Sequence, residues 1–122
     1  MEKIFVNHTN HPSARWSIEQ LTAAQSFGEI IDVPFPAINP RATTEDIGAL
    51  VEENLAEILA LEPSAVLCQG EFNYTFAMVE RLKAAGVVVL AATSERISSM
   101  EILPDGSSRQ SSIFRFVKFR EY

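Results

Sequence analysis

Apolar and polar positions run along this chain in blocks that change period, and the blocks predict an alternation of strands and helices. Lys3 to Val6 is a short β-rich segment, followed by the polar loop Asn7-His8-Thr9-Asn10-His11-Pro12-Ser13. Ser17 opens a helix, with Gln20 at capping-box spacing; Ile18, Leu21 and Gln25 to Phe27 continue it, and Gly28 stops it. Glu29 to Val33 reads as a second strand, ended by Pro34 and Pro36 because proline cannot donate to a ladder. Phe35 to Arg41 is an extended loop, after which Thr43 or Thr44 caps a helix with Glu45 and Asp46 in its first turn.

Ile47, Leu50, Val51, Leu55, Ile58 and Leu59 recur at helical spacing, the strongest periodicity in the chain. Pro63-Ser64 breaks that helix, and Ala65 to Gln69 is a third strand. Phe72, Phe76, Val79 and Leu82 mark a helix ending near Gly86, and Val87 to Ala91 is an unbroken apolar run, as in a strand covered on both faces. The grammar then changes: Ile97 to Leu103, the turn Pro104-Asp105-Gly106, and Arg109 to Phe119 read as an antiparallel hairpin. The predicted fold is α/β and Rossmann-like, a single domain over residues 1–122. Right-handed crossovers make it a four-stranded parallel sheet of order about 2-1-3-4, with helices on both faces and a C-terminal antiparallel hairpin.

Composition narrows the classes. The chain has 122 residues, is 47% hydrophobic and 21% charged, and carries a net charge of −6, which suits one globular core. That charge argues against duplex DNA and anionic membranes as partners. The longest apolar run, Ala84 to Ala92, is too short to cross a bilayer, and the N-terminus lacks signal-peptide features, so a cytoplasmic location is expected. The single cysteine, Cys68, falls in an apolar strand and reads as a buried hydrophobe.

Ligands of open parallel sheets bind beyond the carboxyl ends of the strands, where strand order reverses. The segments emerging there are Asn7 to Ser13, Gln69-Gly70-Glu71-Phe72 and Thr93-Ser94-Glu95-Arg96, with Asp32 and the Pro34-Phe35-Pro36 loop beside them. Both histidines, His8 and His11, fall in the first segment. Each residue also has a structural reading. A histidine near a strand end often serves only as a hydrogen-bonder, and Asn7, Asn10 and Ser13 can satisfy loop backbone. No third ligand accompanies the histidines, so neither metal nor cofactor is expected. Trp16 most simply packs under the loop. Gly70 permits a sharp turn or a close approach, and the amides after it could hold an oxyanion, although neither a P-loop nor a dinucleotide fingerprint is present. Arg96 could pair with a phosphate, or with Glu95 or Glu71. Arg115 to Arg120 alternates as a half-buried strand, fitting a sheet edge or dimer contact better than nucleic-acid stacking.

Taken together, several of these features resemble small Rossmann-like accessory proteins of type III CRISPR systems. They are the polar His/Asn segment after strand one, the glycine turn after strand three, Ala-Thr-Ser-Glu-Arg after strand four and the Pro-Asp-Gly-Ser…Ile-Phe-Arg-Phe-Val-Lys-Phe end. Several such families are ring nucleases that bind or degrade cyclic oligoadenylates. The likeness spans nearly the whole chain, although no single motif is diagnostic. It implies a homodimer whose symmetric cleft receives cyclic tetra-adenylate. It also implies metal-independent cleavage, in which a ribose 2′-hydroxyl attacks the adjacent phosphate and leaves a 2′,3′-cyclic end. On that reading His8 or His11 is the general acid or base. Arg96 and the Gly70 amides stabilise the phosphorane, while Asn7, Thr9, Asn10, Ser13, Gln69, Glu71, Thr93 and Ser94 contribute ligand contacts. The scarcity of lysine near these segments runs against tight polyanion binding. A non-catalytic nucleotide-sequestering module, or a small nucleoside enzyme using Glu71 or Asp32, are the alternatives.

Overall fold

Five strands and three helices follow one another in the computed structural model, which describes residues 2–122. Strand β1 (Ile4–Thr9) leads through a short 3-10 turn (Ser13–Arg15) to α1 (Ile18–Gln25) and β2 (Glu29–Asp32). Helix α2 (Thr44–Ala60), β3 (Ala65–Gln69), α3 (Phe72–Ala84), β4 (Val89–Ile102) and β5 (Ser108–Glu121) complete the chain. The sheet order is β2-β1-β3-β4-β5; the pairs β2–β1, β1–β3 and β3–β4 are parallel, and β5 lies antiparallel to β4.

Strand alternation sorts the core into two layers. Val6, Val66, Cys68 and Val89 point to one face and pack under α2 and α3 against Val51, Ile58, Tyr74, Met78 and Leu82. Phe5, Ala65, Leu67 and Leu90 point to the other, where they meet Ala24 of α1 with Trp16, Phe27 and Phe119. Local chemistry sets the helix starts. The Ser17 hydroxyl accepts from the Gln20 amide, and Thr43 with Asp46 closes a full capping box on α2. Between α1 and β2 the chain passes so close to Lys3 that a Cβ on Gly28 would stand 2.5 Å from the Lys3 carbonyl carbon. Burial pushes the Cys68 thiol up to about 12, so it stays protonated as a core hydrophobe.

Three sequence expectations are corrected. First, β1 does not stop at Val6: Asn7, His8 and Thr9 are strand residues paired to β3, and all three are buried. Second, β4 does not end at Ala91 with a separate hairpin strand beginning at Ile97. It runs unbroken from Val89 to Ile102, so the sheet has five strands and not six, and Thr93 to Arg96 lie in a strand. β4 leaves β3 after Leu90 and continues with β5 alone as a two-stranded arm. The register shifts opposite Thr93 and Ser94, which pair with Lys118 and Phe116, so Val117 is the extra residue of a β-bulge and the ribbon curls there. Third, Phe72 and Phe76 are 89% and 69% exposed; Val79 and Leu82 are buried as expected, but beside Tyr74, Thr75 and Met78. No helix among the described residues is long and apolar enough to cross a membrane.

Candidate functional site

Two consecutive residues of β1 carry the sequence's most prominent polar groups, and the pleat sends them to opposite faces. His8 turns into the α2/α3 layer and is fully buried. Its Nδ1 lies 2.7 Å from the Val33 carbonyl, which can only accept, so Nδ1–H is the donor there. Nε2, 2.7 Å from the Tyr74 hydroxyl, is then the acceptor, and that hydroxyl accepts in turn from Asn54 Nδ2 at 3.0 Å. Burial holds the His8 pKa below its ordinary range, outweighing the Val33 bond and the field of Glu57. Both ring nitrogens are occupied and the ring is sealed from solvent. The catalytic role expected of His8 is therefore replaced by a structural one.

Asn7 turns the other way. Its Nδ2 donates to the His11 carbonyl at 2.9 Å and to Asp32 Oδ1 at 3.1 Å, while Asp32 Oδ2 accepts from the Ser13 amide at 3.1 Å. The His11 carbonyl also receives the Trp16 indole N–H at 3.0 Å, while the Thr9 hydroxyl donates to Asn7 Oδ1 at 2.8 Å. The Trp16 ring meets Phe5 edge-on at 6.2 Å. The loop from Asn10 to Trp16 is thus pinned from beneath through its backbone, which leaves the His11 side chain exposed above it.

Above that loop lies a cleft of about 840 Å³ at the carboxyl ends of β1 and β3, where β4 departs from β3, within the size range of small-ligand sites. One wall is Thr9, Asn10, His11, Pro12, Arg15, Trp16 and the start of α1 at Ser17, Glu19 and Gln20. The floor is Leu67, Gln69, Gly70 and Ala92, and the far wall is Thr93, Ser94 and the β5 segment Ile113 to Phe116. Two arginines and one histidine face a single glutamate in this lining, so the cleft is locally cationic on an acidic protein.

Several expected contacts prove to be scaffold. Gln69 bridges the gap where β4 departs from β3: its Oε1 accepts from the Ala92 amide at 2.8 Å and its Nε2 reaches the Ala92 carbonyl at 3.4 Å. The Thr93 hydroxyl exchanges bonds with the Lys118 backbone beside the bulge. Glu71 caps α3 with its own carboxylate, Oε1 accepting from the Tyr74 amide at 2.8 Å. That occupied end removes the oxyanion role expected of the amides after Gly70. Gly70 itself serves a close approach, because a Cβ there would collide with the Phe35 ring that packs on His8 and Tyr74. Arg96 lies on the exposed arm opposite Phe114 and does not line the cleft.

Sequence reasoning missed Arg15, Gln20, Arg115 and Phe116 as lining residues. Arg15 was within reach of it, since it directly follows the His-Pro-Ser segment. Arg115 and Phe116 were not, because only the curl of the arm brings β5 over α1. Residues 3–120 match the model of the Uncharacterized protein MJ1673 family, nearly the whole chain, and the chain belongs to that family. No curated protein matches it significantly.

Proposed function

We propose that the cleft binds a nucleotide through the exposed His11, Arg15 and Arg115 and the half-buried Trp16, and that its ligand is a cyclic oligoadenylate opened without a metal. The observation that carries this reading is the composition of the cleft: two guanidinium groups, an imidazole, hydroxyl and amide side chains and aromatic rings in one site at the strand ends. Arginine pairs with phosphate bidentately, and aromatic faces stack on bases whatever their sequence. The CRISPR setting and the Rossmann-like lineage belong to the same proposal. In the ring opening, His11 accepts the ribose 2′-hydroxyl proton as that oxygen attacks the neighbouring phosphorus. The 5′-oxygen leaves and takes a proton from solvent, giving a 2′,3′-cyclic phosphate end. Arg15 and Arg115 stabilise the charge that builds on the phosphorane. The ligand's own symmetry fits two copies of the chain acting together.

One observation favours a second reading, a module that binds the ring and does not cut it. With His8 sealed away, the lining of the cleft holds a single imidazole and a single carboxylate, Glu19. Incubation with cyclic tetra- and hexa-adenylate in EDTA, followed by mass spectrometry, decides between the two. Ring opening is expected to fall about 100-fold or more in His11→Ala, with binding retained, and binding is expected to weaken in Arg15→Ala. Tight binding without linear product supports the sequestering module. Neither binding nor cleavage removes both readings.

A further inference from the structure

We infer that the outer edge of β5 along the arm, Gln110 to Phe116, is a self-pairing surface on which a second copy of this chain docks antiparallel about a two-fold axis.

The two edges of the sheet are built differently. β2, at one end, has four residues and Pro34 soon after them, which makes it a poor template for another strand. β5, at the other end, has 14 residues, and its outer row of N–H and C=O groups faces no neighbouring strand among the described residues. Edges are ordinarily protected by bulges, lysine or proline. β5 carries such protection only against the body of the domain, at the Val117 bulge and Lys118. From Ser108 to Phe116 it pairs with β4 in regular register and contains no lysine, proline or glycine. An isolated two-stranded ribbon is at best marginally stable in water, and this one leaves Ile113 60% and Phe114 73% exposed near its middle.

Register and charge both select a second copy as the occupant. Between Ser94 and Phe116 three acids offset three arginines, so the charge of −6 lies outside the arm and two arms meet without net repulsion. Pairing centred on Ile113 places it opposite itself, sets Arg115 against Ser111 and Phe116 against Gln110, and brings no arginine onto another. A centre one residue earlier would oppose Arg109 to Arg115, and one residue later would leave only Ser112 to Phe116 clear of the bulge. The paired segment, Gln110 to Phe116, is roughly 24 Å long. With side chains on both faces it buries on the order of 450 Å² per copy, the size of a weak, reversible interface. Because Ile113 to Phe116 also line the cleft, the axis sets two clefts side by side. Only that last point rests on the nucleotide reading.

The test is sedimentation equilibrium of the full chain without nucleotide, which is expected to give twice the chain mass at micromolar concentration. Ile113→Lys sets two like charges face to face and is expected to weaken association about tenfold. Ser111→Glu, opposite Arg115 of the second copy, is expected to tighten it about fivefold, and Ser111→Arg to loosen it by a similar factor. Opposite signs at one exposed site do not arise from misfolding. Ile113→Cys is expected to oxidise to a covalent dimer much faster than Met100→Cys on β4, since directly opposed strand residues lie within disulfide reach. A monomer throughout, a dimer indifferent to the Ser111 pair, or equal oxidation of the two cysteine variants overturns the inference. A dimer without nucleotide turnover leaves it standing and removes only the proposed reaction.

Discussion

The two faces of β1 hold the same kind of residue and use it in opposite ways. On the α2/α3 face, His8 completes a closed chain of hydrogen bonds running Val33, His8, Tyr74, Asn54, with each of the links between 2.7 and 3.0 Å. On the α1 face, Asn7 and Asp32 spend their bonds on the backbone of a loop, and the side chains of that loop are left over for the cleft. A polar residue at the carboxyl end of a parallel strand is therefore not by itself a ligand contact. Its function depends on the layer into which the pleat turns it. Substitutions on the α2/α3 face should be felt as global stability, and those on the α1 face as loop order and cleft chemistry.

The largest expected effect is that of His8→Ala. It empties a sealed site and leaves the Val33 carbonyl without its donor, at about 3 kcal/mol. A fall in Tm on the order of 10 °C should follow, measurable by calorimetry. A change in nucleotide binding without loss of stability would place His8 in the cleft and break the comparison. Gly70→Ala, at the next strand end, drives a methyl group into the Phe35 ring and should lower stability by about 2 kcal/mol. The smaller Gly70→Ala, Phe35→Leu combination should recover part of that loss, because the clash is with the ring alone. Asp32→Ala comes next, at about 1 kcal/mol, since Asp32 is exposed and bonds only to Asn7 and the Ser13 amide. Its signature should be faster amide exchange over Asn10 to Trp16 with little change in α2 or α3. Uniform loss of protection would show that the loop and the core do not respond separately.

Why some of this could be read from the sequence and some could not follows from the range of the forces involved. The α2 stripe from Ile47 to Leu59 and the caps at Ser17 and Thr43 are local patterns, and they lie where periodicity and capping placed them. The parallel pairing of β2, β1, β3 and β4 follows from right-handed crossovers, and the carboxyl ends of β1 and β3 border the cleft. The extension of β1 through Thr9 was hidden because buried polar residues look like a loop until their partners are known, and those of His8 are 25 and 66 positions away. The continuity of β4 was hidden for the reverse reason. A ribbon with solvent on both faces shows no hydrophobic alternation, so Thr93 to Arg96 passed for a connection. Phe72 and Phe76 had helical spacing, but two apolar residues one turn apart do not say which face of α3 is turned inward.

The smallest expected effect is also the most selective probe of the buried face. His8 is neutral in the folded protein and its pKa lies below the ordinary 6.5, with burial as the chief cause. The unfolded chain therefore takes up this proton first as pH falls. The stability that depends on a neutral His8 is complete above pH 6.5 and declines as pH drops from there toward the folded-state pKa. Between pH 7 and 6 the loss should stay below about 1 kcal/mol. That interval lies above the ordinary carboxylate range, so acidic groups contribute little to the slope. In His8→Met, which keeps a side chain of similar bulk and cannot titrate, the dependence over this interval should flatten. Equal slopes in the wild type and His8→Met would mean that the buried face does not sense this proton, and the contrast between the two histidines would then rest on geometry alone.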